Sequence, residues 1–180
     1  MTTVIFGSEG NVGRRLKAAF PGAIGIDRVA GADIVADLKT IDYDAPEIHA
    51  LLGKAEIVLH VATSPDVDAP DEVHYQAVVD AARLLLACQR YPVPRVLLPS
   101  SDWAEPKRGW AAINPYGYSK RMFEEMAAMY RFSTGKICAA MRIGWVAQDL
   151  AQVKASAPWL QANYWDDARL IREVKKALDL

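Results

Sequence analysis

The sequence is poor in the residues that mark disulfide-linked, metal-binding or nucleic-acid-binding proteins. It has two cysteines, Cys88 and Cys138, in 180 residues, and both lie in apolar segments, so a disulfide framework is not expected. The three histidines are scattered without metal-ligand spacing. The formal net charge is -1, and a near-neutral chain lacks the basic surface that nucleic-acid binding requires.

Long apolar runs are also missing, and with them any candidate for a membrane-spanning helix. Residues 1–6 lead directly into a strand pattern and leave no room for the charged start and apolar core of a signal peptide. A cytoplasmic protein without membrane contact is therefore expected. Hydrophobic residues make up 52% and charged residues 24%, the mixture of a globular chain, and the length suits a single domain over residues 1–180.

Short apolar runs of strand type alternate with helical patterns along the chain. Strands are predicted over residues 2–6, 23–27, 32–36, 56–61, 95–98 and 136–143. Helices are predicted over about 11–20, 46–52, 71–90 and 115–135, with a last one from about residue 166. This order predicts an α/β fold of the doubly wound Rossmann type, with helices on both faces of a parallel sheet in the order 3-2-1-4-5-6. A ligand is expected at the carboxyl ends of the strands, where that order reverses.

The first strand is followed by the glycine turn Gly7-Ser8-Glu9-Gly10-Asn11-Val12-Gly13, which opens the first helix. Gly7 allows a sharp turn, and Gly10 removes a side chain where a pyrophosphate would lie. Gly13 allows the helix to pack closely on the sheet. The spacing predicts that a dinucleotide binds at this turn.

An acid, Asp27, ends the second strand about twenty residues further on. There it can accept hydrogen bonds from the ribose hydroxyls of adenosine, and it would repel a 2′-phosphate. The cofactor predicted from this pattern is NAD, with NADP disfavoured. Two arginines, Arg14 and Arg28, argue for NADP instead, since either side chain could reach a 2′-phosphate.

A tyrosine and a lysine, Tyr116 and Lys120, lie four residues apart on one face of the helix predicted over 115–135. An ammonium about 4 Å from a phenol can supply the roughly 4 kcal/mol that moves the phenol pKa from about 10 toward neutrality. Such a phenol can exchange a proton with a substrate oxygen. Tyr118 is a competing phenol, but it is two residues from Lys120 and faces elsewhere on a helix. Two unconnected surface residues are the alternative interpretation of the pair.

Taken in order, these motifs resemble the short-chain dehydrogenase/reductase family, in its extended branch of NAD-dependent epimerases, dehydratases and sugar dehydrogenases. The resemblance covers residues 2–146. Besides the glycine turn and Asp27, it rests on Asp37-Leu38, His60-Val61-Ala62, Pro99-Ser100-Ser101, Asn114-Pro115-Tyr116-Gly117-Tyr118-Ser119-Lys120 and Arg142-Ile143-Gly144. Within the family the chain is similar to uronate dehydrogenases at residues 83–88, 94–96 and 164–167.

The resemblance implies the catalytic set Ser101, Tyr116 and Lys120. Tyr116 would be the acid/base, and Lys120 would lower its pKa and hold the nicotinamide ribose. Ser101 would hydrogen-bond the substrate oxygen. No metal is implied.

The resemblance also implies where the cofactor lies and how copies associate. Asp37 and Leu38 would sit at the adenine, and Ala62 and Thr63 would line the cofactor. The complete expected cofactor-binding set is Gly7, Gly10, Asn11, Val12, Gly13, Asp27, Asp37, Leu38, Ala62, Thr63, Tyr116 and Lys120. A homodimer through the two long helices is expected as well.

The sequence departs from the family pattern on the substrate side. Residues 147–180 would form a reduced closing segment, so the pocket would be open, small or completed by another chain. Asp102 and Trp103 stand where uronate dehydrogenases have an Asn-His pair, and no arginine lies between residues 144 and 168. Both features argue against a uronate substrate. In the preceding helix, Ala77 replaces a common asparagine.

Two groups of aromatic residues accompany these departures. Residues 103–113, with Trp103, Lys107, Arg108 and Trp110, are expected to form a loop over the nicotinamide end. There the tryptophans would stack on a cyclic or aromatic substrate or pack on the body of the protein. A later group at positions 159, 164 and 165 is expected to serve packing.

The sequence therefore predicts an NAD-dependent oxidoreductase that interconverts a hydroxyl and a carbonyl on a small cyclic or sugar-like substrate. Two alternatives stay open. One is an epimerase or dehydratase that retains its NAD and uses the same serine, tyrosine and lysine. The other is a non-catalytic NAD-binding protein.

Overall fold

The structure is a computed structural model that describes residues 1–91, 93–106 and 113–180. Six parallel strands form one central sheet. They are β1 (Thr3–Phe6), β2 (Ile24–Asp27), β3 (Ile34–Val35), β4 (Ile57–His60), β5 (Arg95–Ser100) and β6 (Ile137–Arg142). Their spatial order is β3-β2-β1-β4-β5-β6, which confirms the predicted doubly wound order.

Helices follow the strands in the manner that the sequence pattern predicts. They are α1 (Asn11–Ala19), α2 (Pro46–Leu52), α3 (Asp71–Arg90), α4 (Pro115–Thr134), α5 (Leu150–Ala155), α6 (Pro158–Gln161) and α7 (Asp167–Ala177). Helix α4 begins where Asn114 accepts a hydrogen bond from the Gly117 N–H at 2.9 Å. It ends at Gly135, whose φ of 68° is the left-handed value that glycine adopts freely. Across the described residues, none of these helices is long and apolar enough to cross a membrane.

The core lies on both faces of the sheet because side chains alternate along each strand. Phe6 of β1 faces a cluster that includes Leu84 of α3 and Phe123 of α4. Ile5 faces the opposite cluster, which it shares with residues of α1 and α7. All four residues of β1 and of β4 are buried, as expected of central strands in a parallel sheet.

The structure differs from the sequence prediction at a few boundaries. Strand β3 is an edge strand of two residues rather than five, and its pairing with β2 stops after Val35. Strand β5 is longer than predicted, because Pro99 and Ser100 still pair with β6. A short 3-10 helix, Asp102–Ala104, begins where a loop was expected to lead away from β5.

Candidate active site

A cavity of about 530 Å3 opens at the carboxyl edge of the sheet, beside the point where the strand order reverses between β1 and β4. Its wall contains residues that follow three strands: Gly10 after β1, Thr63 after β4 and Ser101 after β5. Tyr116 and Lys120, from the first turns of α4, complete this part of the wall. The cavity therefore lies where a doubly wound fold places its ligand.

Side chains added at the three glycines of the turn would overlap the neighbouring backbone or lie tightly against it. Gly7 has a φ of 86°, and a Cβ there would lie 2.6 Å from the backbone nitrogen of Ala62. A Cβ on Gly13 would overlap the carbonyl oxygen of Gly7. At Gly10 the nearest atom to a Cβ would be that same oxygen at 3.3 Å, and the residue lines the cavity. A ligand can therefore approach the backbone at Gly10 directly.

Helix α1 starts at this turn, where the N–H groups of its first residues have no acceptor within the helix. No side chain of the described residues caps its first turn, which also carries no acid. Asn11 and Val12, its first two residues, line the cavity. Uncapped N–H groups and the positive end of the helix dipole stabilise an anion, so this edge of the cavity fits the pyrophosphate of a dinucleotide.

Asp27 lies beside the glycine turn and is half-buried. Its Oδ2 accepts a hydrogen bond from the Glu9 N–H at 3.0 Å, which places the backbone of the turn next to the end of β2. The Arg14 guanidinium donates to the Glu9 carbonyl at 2.9 Å, and Arg28 is exposed. Glu9, a second acid, thus has its backbone in contact with the Asp27 carboxylate, a proximity that the sequence reasoning missed.

Asp37 and Leu38 follow the end of β3, one strand further out. The Asp37 Oδ1 accepts from the Lys39 N–H at 3.0 Å, and the Asp37 carbonyl accepts from the N–H groups of Thr40 and Ile41. Leu38 is buried. These contacts curl residues 37–41 into a compact loop at the carboxyl edge.

Ser101, Tyr116 and Lys120 meet in the cavity. The Lys120 Nζ donates to the Thr63 Oγ1 at 3.0 Å and lies 5.0 Å from the centre of the Tyr116 ring. Burial lowers the pKa of Lys120 to about 7. Burial also raises the pKa of Tyr116, and a hydrogen bond from the Ser101 side chain opposes that rise.

Burial therefore favours the neutral forms of both the phenol and the amine. The phenol is therefore in its protonated form, which can donate a hydrogen bond. The sequence analysis expects Lys120 to lower the pKa of Tyr116. Here that pKa is raised instead, because burial dominates and the opposing contribution comes from the Ser101 hydrogen bond.

A polar network behind the site joins three elements. The Ser100 hydroxyl donates to the Glu124 Oε1 at 2.6 Å, and the Arg142 guanidinium binds the same carboxylate at 2.7 and 3.0 Å. Arg142 also reaches Glu105 at 2.9 Å. The end of β5, the middle of α4 and the end of β6 are thereby held together, which fixes Ser101 relative to α4.

The closing segment is fastened to α1. The Asn11 side-chain amide donates to the Val146 carbonyl at 2.7 Å. Arg15 hydrogen-bonds the Asn11 side chain, the Ala147 carbonyl at 2.8 Å and the Asp167 carboxylate at 2.7 Å. The side chain of Asn11 is thus engaged within the protein, and its backbone N–H is the group left for a cofactor.

Aromatic side chains line the remaining wall. Trp103 meets the Tyr116 ring edge-on, with centres 6.4 Å apart, and the buried ring of His74 does so at 5.5 Å. Trp145 and Trp159 also line the cavity, and Trp159 is 63% exposed. Contrary to the expectation of a packing role, Trp159 is therefore available to a ligand.

The other members of the later aromatic group do pack. Tyr164 lies edge-on to Trp145 with ring centres 6.0 Å apart, and Trp165 lies directly against Gly144. The expectations for Lys107, Arg108 and Trp110 lie outside the described residues.

The chain is similar to known proteins in its sequence profile and in its fold. Residues 3–146 match the sequence profile of the NAD dependent epimerase/dehydratase family. No curated protein sequence matches the chain significantly.

Solved structures share the fold at low sequence identity. A mutated uronate dehydrogenase is 23% identical with a TM-score of 0.75, and the match covers 98% of this chain and 68% of that one. A UDP-glucose 4-epimerase of Thermus thermophilus in complex with NAD is 20% identical with a TM-score of 0.62 over 82% and 56% of the two chains. A GalE-like L-threonine dehydrogenase from Cupriavidus necator is 18% identical with a TM-score of 0.69, and the match covers 81% of this chain and 56% of that one.

The chain therefore spans little more than half the length of the epimerase and the threonine dehydrogenase. The sequence profile, in contrast, covers most of the chain, including the glycine turn and the Tyr116–Lys120 pair. This protein belongs to the NAD dependent epimerase/dehydratase family.

Proposed function

We propose that the protein is an NAD-dependent oxidoreductase that interconverts a hydroxyl and a carbonyl on a small cyclic or sugar-like molecule. The observation that carries the proposal is the convergence of Ser101, Tyr116 and Lys120 with Gly10 on one cavity. A phenol, a hydroxyl and an amine at the mouth of a dinucleotide site are the groups that move a proton during alcohol oxidation.

The described residues fit NAD along the carboxyl edge of the sheet. The backbone at residues 7–13 would hold the pyrophosphate, and Asp27 would accept from the adenosine ribose. Residues 37–38 would lie at the adenine. Ala62, Thr63 and Lys120 would follow the nicotinamide half. Glu9 and Asp27 together disfavour the 2′-phosphate of NADP by charge repulsion. When bound, NAD supplies the hydride acceptor, and its reduced form supplies the donor.

The side chains of this chain would handle the substrate oxygen and its proton. Ser101 would donate to that oxygen and orient it toward Tyr116. In oxidation the phenol oxygen takes the hydroxyl proton, and in reduction the phenol returns it. Because burial keeps Tyr116 protonated, the resting site is set for reduction, and oxidation should speed up as the pH rises.

The cavity wall favours a neutral, flat substrate. Trp103, Trp145 and Trp159 offer apolar faces, and Asp102 adds a carboxylate. Among the described residues of the wall, Lys120 is the single cation, and its charge is suppressed by burial. A substrate carboxylate would thus meet repulsion from Asp102, which argues against a uronate.

The experiment is a screen of sugars, sugar acids and cyclic alcohols with NAD, read by NADH absorbance. Tyr116→Phe should reduce turnover by about a hundredfold to ten-thousandfold, which is the usual contribution of general acid–base catalysis. Tyr118→Phe is the matched control, because that phenol is 52% exposed two residues further along α4. Equal activity of the Tyr116→Phe variant and the parent would end the proposal.

The epimerase or dehydratase alternative uses the same three side chains. It differs in the fate of the coenzyme, because such an enzyme keeps NAD bound through turnover. Purified protein that carries stoichiometric NAD, and releases no NADH on any substrate it converts, would favour this alternative. NAD binding without any turnover would favour a non-catalytic role.

A homodimer is part of the proposal. The outer faces of α3 and α4 carry exposed apolar residues at helical spacing: Tyr75, Val79, Leu86, Tyr118, Met122, Met129 and Phe132. Phe132 is 94% exposed, which is unusual for so large an apolar side chain. Met129→Glu should convert a dimer into a monomer in sedimentation analysis. A parent that sediments as a monomer would remove this part of the proposal.

A further inference from the structure

Arg83 connects the middle of α3 to the loop that follows β3. Its Nη1 donates to the carbonyl oxygens of Leu38 at 2.7 Å and Lys39 at 2.8 Å, and its Nη2 donates to the carbonyl of Ile41 at 2.8 Å. The guanidinium also lies 5.7 Å from the centre of the Tyr43 ring. One side chain thus gathers three carbonyl groups of a single loop, residues 37–41.

The loop of residues 37–41 lies where the adenine of a bound dinucleotide is expected. Asp27 ends β2 and is placed for the adenosine ribose, as in doubly wound dinucleotide sites. Strand β3 is the next strand outward, so a dinucleotide that runs from the glycine turn past Asp27 arrives with its adenine at residues 37–41. Asp37 shapes the loop from within by accepting from Lys39, Thr40 and Ile41, while Arg83 holds it from the side of α3.

The chemistry of the contact suits a fixed loop. A planar guanidinium offers several N–H groups in a rigid fork and can serve three acceptors at once, whereas a lysine ammonium is a single point. The buried carboxyl of Asp80, one turn earlier on α3, accepts from Gln76 at 2.7 Å and lies close enough to Arg83 for the two charges to attract.

We infer that Arg83 is a positioning residue for the adenine end of the cofactor. It does not touch the dinucleotide. It holds residues 37–41 in the shape that receives the adenine, before the cofactor arrives. The inference rests on the proposed function, because the place of the adenine belongs to that proposal.

The test compares Arg83→Met with Arg90→Met. Arg90 lies on the same helix and is also tied to the segment after β3, through Asp44 at 3.1 Å, but it is exposed and further from the adenine position. The affinities of AMP, NAD and NADH are measured by calorimetry for the parent and both variants. The fluorescence of NADH at saturation reports the nicotinamide surroundings separately.

Arg83→Met should weaken AMP, NAD and NADH binding by the same factor, about tenfold or more, because hydrogen bonds from a charged donor are the strong ones. The fluorescence of saturated NADH should stay that of the parent. Arg90→Met should leave all affinities unchanged. Arg83→Lys should recover part of the loss, since one ammonium can hold one or two carbonyls.

Several results would overturn the inference. One is an Arg83→Met variant that binds AMP as the parent does. Another is a change in the fluorescence of bound NADH that accompanies the loss, since this would mean general loosening rather than an effect at the adenine. A parent that binds neither NAD nor AMP would overturn the proposed function and this inference together, whereas normal NAD binding with no effect of Arg83→Met overturns the inference alone.

Discussion

The proposed ligand site has two parts, a cofactor wall and a substrate wall, that are built in different ways. The cofactor wall is residues 7–13, of which Gly10, Asn11 and Val12 line the cavity, together with the carboxyl ends of β2 and β3 beside them. It presents mainly backbone groups fixed by the sheet and by glycines. The substrate wall, residues 102–103 and 143–163, presents side chains on short elements, such as a 3-10 helix of three residues and a helix α6 of four. Backbone geometry tolerates little change, whereas side chains on short elements can be exchanged. The cofactor wall should therefore be the sensitive one and the substrate wall the adaptable one.

The largest expected effect belongs to Gly13→Ala in the cofactor wall. The new Cβ would overlap the Gly7 carbonyl oxygen, and both groups belong to backbone that the sheet and α1 hold in place. We expect a loss of about 3 kcal/mol or more in the free energy of unfolding, and NAD binding too weak to measure. Thermal unfolding and calorimetry check this.

Gly22→Ala is the control for Gly13→Ala. Gly22 also has a positive φ, of 78°, but no atom lies within 4 Å of its added Cβ. The strain there should cost about 1 kcal/mol and leave NAD binding intact. Equal loss of NAD affinity in both variants would show that the cofactor wall is not as rigid as its contacts indicate.

The next largest effect on stability is expected at Lys120, which lines the cavity between the two walls. Its pKa is lowered by burial from 10.5 to about 7, so the folded chain binds this proton less tightly than the unfolded chain. At a pH between about 7 and 10.5, unfolding therefore takes up a proton at Lys120. As the pH rises through this range, the contribution of Lys120 to the free energy of unfolding becomes more favourable to the folded state.

Lys120→Met should therefore be more stable than the parent at pH 7, by about 2–4 kcal/mol. The difference should shrink as the pH approaches about 10, at roughly 1.4 kcal/mol per pH unit. Chemical unfolding at several pH values measures it, with Lys54→Met, on the exposed surface, as the control. A difference that stays constant with pH would mean that burial does not suppress the charge of Lys120.

The same contrast explains what could be predicted from the sequence. The strand order, the glycine turn and the Tyr116–Lys120 pair follow from rules of spacing, because backbone period and sterics dictate them. The contacts of Arg83 and the Glu124–Arg142 pair join residues distant in sequence, and no local pattern announces them. Strand β5 continues beyond its apolar residues through Pro99 and Ser100, because these two residues still pair with the neighbouring strand β6. The apolar pattern alone does not indicate this extension. The exposure of Trp159 likewise depends on how α6 packs.

Asp27→Ala probes the part of the cofactor wall where a side chain does contribute. Loss of the carboxylate should weaken NAD binding about tenfold and bring NADP binding closer to it. Glu9 stays beside the site, so its charge should preserve part of the discrimination, and Glu9→Gln in addition should remove more. Calorimetric titration with both cofactors measures the ratio. A parent that binds NADP as tightly as NAD would contradict this account of the wall.

The smallest expected effect belongs to Trp159→Ala in the substrate wall. Trp159 lines the cavity but is 63% exposed, so its removal leaves the core and the cofactor contacts in place. We expect KM for a substrate found in the screen to rise about threefold to tenfold through lost stacking, with kcat, NAD affinity and the melting temperature unchanged. Leu150→Ala, at an exposed apolar position of α5 outside the cavity lining, is the control. If Trp159→Ala instead abolished NAD binding, the two walls would be one cooperative unit, and the division drawn between them would be wrong.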